Sequence, residues 1–422
     1  MSSELEGRSP ARLPIDESAT RGIAAPDAPA PRRFMFVAPP FISHALPMVS
    51  IAKELERRGH AIGWISHPLL RRWLPDSFEF APLTENEAYR AAMVEIETQE
   101  MRFPADGFVR LIEDVMVPLA RATLPEVDDA VDAFAPDAMV VDQHTFAGVA
   151  VARRRGIPWA TSAPTAQLQV LAKEGYGSVG RWLDRALALL QEEQRLPPTT
   201  SFDISPDLVL VYTSRDFAEH DAAMPYPSQF RFVGPALDYR DESIDFPWDL
   251  LAEGPRLFVS LGTILGARGM RFMHTVVEAL AERPVQVIVS AHADVLSQPP
   301  SNFLVRPWIP QLRILEHVDA VLTHGGAGTV HEALAFGVPM VVAPVMHDEF
   351  LNAGKLVSTG AGVRIKYGRP DAATLRSAVF EVLRNPTYRA VAQRFGQSYR
   401  RAGGTRIAAD WVAQLANRGR AH

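Results

Sequence analysis

No cysteine occurs in the 422 residues. That excludes a disulfide framework, a thiolate metal site and a cysteine nucleophile. It leaves the compartment open, and a reducing cytoplasm fits. No apolar run approaches ~18–20 residues, so no transmembrane helix is expected. Charge of one sign is not in excess either: the net charge is −6, with acids and bases mixed along the chain. Such a balance offers nucleic acid no general attraction. The twelve histidines are scattered. They form no H-E-x-x-H, and no D-x-D stands between apolar strands, so neither a metal nor another cofactor is expected.

What is present points to two domains. Apolar residues make up 47% of a chain too long for one ordinary core. Residues 1–33 are rich in Ala, Pro, Arg and acids and lack the apolar middle of a signal peptide. They read as a disordered leader. "RFMFV" then reads as a buried strand, "LPMVSIAKELERRGH" as a helix stopped by Gly59, and "AIGWIS" as a second strand. The alternation recurs at "DAMVVD", "FAGVAVARRRG" and "IPWATSA". After a stretch rich in Pro, Gly and acids it restarts at "RLFVSLGT" and runs to "EFLNAGKLVSTGAG".

Repeated strand–helix units imply parallel sheets. The expected class is α/β, with two Rossmann-like doubly wound domains facing across a cleft. The boundaries read as 34–235, a linker at 236–255, a second domain at 256–400 and a last amphipathic helix at 401–422 that crosses back to the first domain. On that helix Ile407, Trp411 and Leu415 share a face at spacing four.

The most informative stretch is "THGGAGTVHEAL", Thr323 to Leu334. It joins a strand to a helix, at the edge of a sheet where ligands bind. Glycines let backbone approach a ligand, and the new helix offers unpaired N–H groups to an anion. The plainer alternative is a tight turn with a capping box, Thr329-x-x-Glu332. A dinucleotide pattern fails because His331 stands where its third glycine belongs. A Walker A loop fails because no Lys-Ser or Lys-Thr follows. His324 at the mouth of the turn can donate to a phosphate oxygen.

The segment Val305–Asn352, together with "SLGT", "APPFISHALP" and the final helix, resembles family-1-type glycosyltransferases of the GT-B fold. These include bacterial antibiotic, macrolide and carotenoid glycosyltransferases. The resemblance implies a donor site. Trp308 would stack on the nucleobase with Gln311 beside it. His324, Gly326, Gly328 and Thr329 would hold the diphosphate, and Glu332 would accept from the ribose. Ser260 and Thr263 would line the same pocket, or simply cap a strand end. Asp348 and Glu349 stand where the family places an acid and a glutamine on the sugar hydroxyls. Glutamate accepts but cannot donate, so an amino sugar is an alternative to a neutral one.

The resemblance also implies catalytic roles. His44 would be the general base that takes the acceptor proton, in a single displacement with inversion. A histidine near pKa 6.5 suits that task. Asp142 would orient it, unless it caps the following helix; His144 is the weaker candidate. The apolar segments Met93–Val117 and "SAPTAQLQVL" are candidate liners of a lipophilic acceptor pocket. The partners implied are a TDP- or UDP-linked sugar and a lipophilic small molecule, in a cytoplasmic monomer or homodimer. The rival readings are a sugar-nucleotide epimerase of the same fold, a dinucleotide oxidoreductase and a non-catalytic nucleotide-sugar-binding helper.

Overall fold

A computed structural model describes residues 30–418 apart from 88, 92–93, 95–108, 166–176, 200, 221–225, 240–242, 263–265, 292–295, 297, 346–347 and 369–370. Thr263, most of the leader and much of both acceptor segments therefore lie outside the described residues.

The first sheet has seven parallel strands in the order β3-β2-β1-β4-β5-β6-β7. They are β1 (Arg33–Val37), β2 (Ala61–Ser66), β3 (Glu79–Pro82), β4 (Ala138–Asp142), β5 (Trp159–Ala163), β6 (Leu208–Val211) and β7 (Phe230–Phe232). The second has six in the order β10-β9-β8-β11-β12-β13. They are β8 (Arg256–Ser260), β9 (Gln286–Ser290), β10 (Phe303–Arg306), β11 (Ala320–Thr323), β12 (Met340–Val342) and β13 (Gly362–Arg364). Every pair is parallel. This is the α/β, doubly wound architecture the alternation implies. Each sheet reverses its winding once, between β1 and β4 in the first and between β8 and β11 in the second. Ligands bind at such switch points.

The strands are near-continuous apolar runs because helices cover both faces. In the first sheet these include α1 (Ile42–Arg57), α2 (Val117–Phe134), α3 (Phe146–Arg155), α4 (Gly177–Glu193) and the short α5 (Arg215–Ala218). In the second they are α6 (Gly266–Leu280), the short α7 (Gln311–Ile314), α8 (Ala327–Ala335), α9 (Glu349–Thr359), α10 (Ala372–Arg384) and α11 (Pro386–Ala402). Gly156 ends α3 and Gly360 ends α9, both in the left-handed region that glycine enters without steric cost. No helix of the described residues is long and apolar enough to cross a membrane.

Two details differ from the expectations. Arg32 and Arg33, read as the end of the leader, are bound: Arg32 pairs with Asp137 at 3.3 Å and Arg33 donates to the Phe134 carbonyl at 2.7 Å. The last helix, α12 (Gly404–Arg418), fully buries only Leu415 of the Ile407–Trp411–Leu415 stripe. Ala408, Ala409, Val412, Leu415 and Ala416 are buried in the core shared with Phe34, Met48, Ile51 and Leu55, while Ile407 and Trp411 sit at its margin. Small side chains let α12 approach α1 closely. Trp411 instead meets the Arg231 guanidinium, 4.3 Å from its ring centre. Arg58 joins the two helices by pairing with both Glu54 and Asp410, at 2.8 and 2.6 Å.

Candidate active site

His44 lies in the first turn of α1, just past the carboxyl end of β1. Asp142 ends β4, the neighbouring strand at the switch point. Their side chains meet: His44 Nδ1 is 2.9 Å from Asp142 Oδ2. A carboxylate can only accept, so Nδ1 carries the proton and Nε2 keeps its lone pair. Burial alone would lower the His44 pKa. The charge and hydrogen bond of Asp142, helped by the charge of Asp348, outweigh it, so the pKa is raised.

Asp142 also serves the loop before α3, but it does not cap that helix, whose N-cap is Thr145 with no side-chain cap bond. Asp142 Oδ1 accepts from the backbone N–H of His144 at 2.9 Å, and its side chain is fully buried. His144 stacks obliquely on His44, with ring centres 5.0 Å apart. Donor atoms of His44, Asp142 and His144 lie within 4.8 Å of one another, a set that spacing along the chain could not reveal. The hydrogen bond from His44 to Asp142 already ties two of the three to each other.

The second sheet gathers the other candidates at its own carboxyl edge. Ser260 ends β8, Trp308 follows β10, His324 follows β11 and Asp348 follows β12. Trp308 is 47% exposed, unusual for so large an apolar ring and suited to receiving a flat base. Gln311 donates to Glu332, a pair that links α7 to α8.

The capping box does not form. Helix α8 begins at Ala327 with Gly326 as its N-cap and no side-chain cap. Thr329 is therefore inside the first turn, and Glu332 is released to bond Gln311. The N–H groups of Ala327, Gly328 and Thr329 precede the first helical bond, from Val330 to Gly326 at 3.1 Å. Together with the helix dipole they give this end a positive potential.

His324 is wedged between two glycines. A Cβ on Gly262 would come within 2.9 Å of its ring, and one on Gly326 within 2.6 Å. Gly262 also has φ +76°, and its importance was not read from the sequence. Burial pushes the His324 pKa down to about 4, so the ring is neutral near pH 7. Its approach to Glu349, 3.9 Å from Nε2, is then not an ion pair. Glu349 accepts the Val345 N–H through its other oxygen at 2.6 Å, so it braces its own loop. Asn352, also missed, donates to Asp348 at 3.0 Å and to the Gly325 carbonyl at 2.9 Å, fixing the acid against the glycine turn. Desolvation raises the Asp348 pKa against the pull of Asn352 and of the His44 charge.

The two edges face each other. A cavity between them is lined by Thr165, Tyr212 and Thr213 from the first sheet and by His331, Asp348 and Asn352 from the second.

The chain is 30% identical over 296 residues to YojK, an uncharacterized UDP-glucosyltransferase of Bacillus subtilis, covering 66% of this chain and 72% of that protein. It belongs to the family-1-type GT-B glycosyltransferases. The profile of the erythromycin biosynthesis protein CIII-like C-terminal domain matches residues 272–404 of this glycosyltransferase. It is also 29% identical over 431 residues to the demethyllactenocin mycarosyltransferase of Streptomyces fradiae, covering 96% of this chain and 92% of that one. Among solved structures, a kitacinnamycin glycosyltransferase superposes with a TM-score of 0.73 at 26% identity, over 92% of this chain and 100% of the other.

Proposed function

We propose that this glycosyltransferase moves a sugar from a TDP- or UDP-linked donor to a hydroxyl of a lipophilic small molecule, with inversion. The observation that carries the reading is the buried His44–Asp142 pair at the switch point of one sheet, facing the glycine turn at the switch point of the other. His44 Nε2 takes the acceptor proton as the new bond to the anomeric carbon forms. Asp142 holds the ring and stabilises the imidazolium that results. The departing diphosphate is received by the first turn of α8 and by the neutral N–H of His324. Trp308 stacks on the base, Glu332 accepts from the ribose, and Asp348 and Glu349 flank the sugar. Relatives named for a mycarosyl transfer and for a UDP-glucose-type donor support a nucleotide-linked sugar and a natural-product acceptor.

The test is incubation with pooled lipophilic acceptors and TDP- or UDP-sugars, read by mass shift. A glycosylated acceptor is expected. Donor epimerised without transfer would favour an epimerase, and nucleotide binding without turnover a helper protein. His44→Ala should lower transfer by about 10²- to 10⁴-fold and leave nucleotide binding intact. Transfer at the wild-type rate would remove His44 from the mechanism.

A further inference from the structure

His331 breaks the dinucleotide glycine pattern, and sugar transfer itself gives it no task. It is 8% exposed. Its Nδ1 lies 2.7 Å from the Tyr399 hydroxyl, and that hydroxyl lies 3.1 Å from Thr213 Oγ1. Phe217 packs edge-on against the imidazole, with ring centres 5.4 Å apart. The three polar residues come from three elements. His331 is on α8, the helix whose first turn faces the donor. Tyr399 is on α11 and buried in the core of the second sheet. Thr213 follows β6 at the carboxyl edge of the first sheet.

Burial keeps His331 neutral near pH 7, with a pKa pushed down to about 4. Its Nδ1 can then accept from Tyr399, whose oxygen accepts in turn from Thr213, and the other neutral tautomer reverses both bonds. Tyr212, beside Thr213, bonds Ser162 at 2.8 Å, and Ser162 is the register partner of Asp142 on the adjacent strand. The line of contacts therefore runs from under the donor site to the strand that carries the acid of the base. Ser398 also bonds Asp216 at 2.6 Å, an exposed partner, and Lys355 donates to the Ala218 carbonyl at 3.2 Å.

We infer that Tyr399, bonded to His331 and Thr213, is a positioning residue that fixes α8 relative to the His44–Asp142 pair. The inference deepens the proposed transferase reading and rests on it. In-line displacement needs the acceptor oxygen and the anomeric carbon aligned across the cleft. Misplacement by about 1 Å from a distant change can cost about 100-fold. A buried, fully bonded hydroxyl is well suited to holding that alignment, because losing it strands two polar partners in the interior.

Tyr399→Phe removes the hydroxyl and keeps the ring. Nucleotide affinity should stay within about 2-fold, because the donor contacts are untouched, while kcat falls about 10- to 100-fold. Donor hydrolysis should rise relative to acceptor glycosylation as water competes in the looser cleft. Thr213→Val should act in the same direction, and the double variant should lose little more than Tyr399→Phe, since the residues act as a unit. The absence of cysteine allows spin labels at Ala133→Cys and Ser301→Cys, one exposed site on each half. With nucleotide bound, their distance distribution should be narrow in wild type and broad in Tyr399→Phe. A lower Tm with unchanged kcat, unchanged hydrolysis ratio and an unchanged distribution would reduce Tyr399 to a core residue and overturn the inference. If Tyr399→Phe does not fold, the same readouts on Thr213→Val decide. If the wild type transfers no sugar, the functional reading fails and the distance distributions alone judge the coupling.

Discussion

His44 Nδ1 donates to Asp142 Oδ2 at 2.9 Å across 98 residues of chain. Replacing Asp142 with Asn removes the charge but keeps a side chain of the same shape. Transfer should fall about 10²- to 10⁴-fold, because an amide can present the wrong group to the imidazole. The pH profile gives a second reading. A base must be deprotonated to act, and the His44 pKa is raised, so the acid limb of kcat/KM should lie above 6.5 in the wild type. In Asp142→Asn burial acts with one fewer opposing charge, and the limb should move to lower pH. An unmoved limb would detach it from His44.

Trp308 can be tested apart from the chemistry. Base stacking contributes roughly 1–3 kcal/mol. Trp308→Ala should therefore weaken nucleotide binding about 5- to 150-fold, while Trp308→Phe keeps most of it. Calorimetric titration with TDP and UDP reads both variants. Equal affinity in Trp308→Ala would return the ring to a surface role.

Gly326→Ala is a small change with a defined collision. The new Cβ would lie 2.6 Å from His324 Nε2, so the imidazole must leave its place. Fold and secondary structure should survive while nucleotide affinity drops. Gly328→Ala adds a Cβ that meets no protein atom within 4 Å, so a loss of affinity there reports contact with the nucleotide itself. Wild-type nucleotide affinity in Gly326→Ala would show that the position of His324 is irrelevant to the diphosphate.

Acid stability follows from the two neutral histidines. His324 and His331 both have pKa values pushed from 6.5 down to about 4 by burial. The unfolded chain takes up protons below about 6.5 that the folded chain refuses until about 4. Their stabilising contribution is complete above 6.5 and is lost as pH falls through that window. Tm should decline by on the order of 5 °C across it. His331→Gln should flatten the decline relative to wild type, whatever its Tm at pH 7. An unchanged slope would place the proton uptake elsewhere.

The strand–helix alternation was legible because parallel strands are apolar on both faces and the helices end at glycines. So was the glycine turn between β11 and α8 at the carboxyl edge of the second sheet. The capping-box alternative stayed open because a T-x-x-E spacing cannot say where a helix starts. Here Gly326 opens it, three residues before Thr329. The buried face of α12 was displaced because alanine counts little in a hydrophobic pattern, yet it is what allows two helices to touch. His331 looked only like a broken motif. Its partner stands 68 residues away, and no local pattern joins them. The pairing of His44 with Asp142 came from family resemblance rather than spacing, for the same reason.

Helix α12 closes the outer face of the first sheet, although the whole second sheet intervenes in the chain. Domains generally fold as units during synthesis, the amino-terminal one first. In this protein the first half leaves the ribosome with Phe34, Met48 and Leu55 still lacking part of their cover. The nascent chain must carry that apolar patch uncovered until residues beyond 404 have been made.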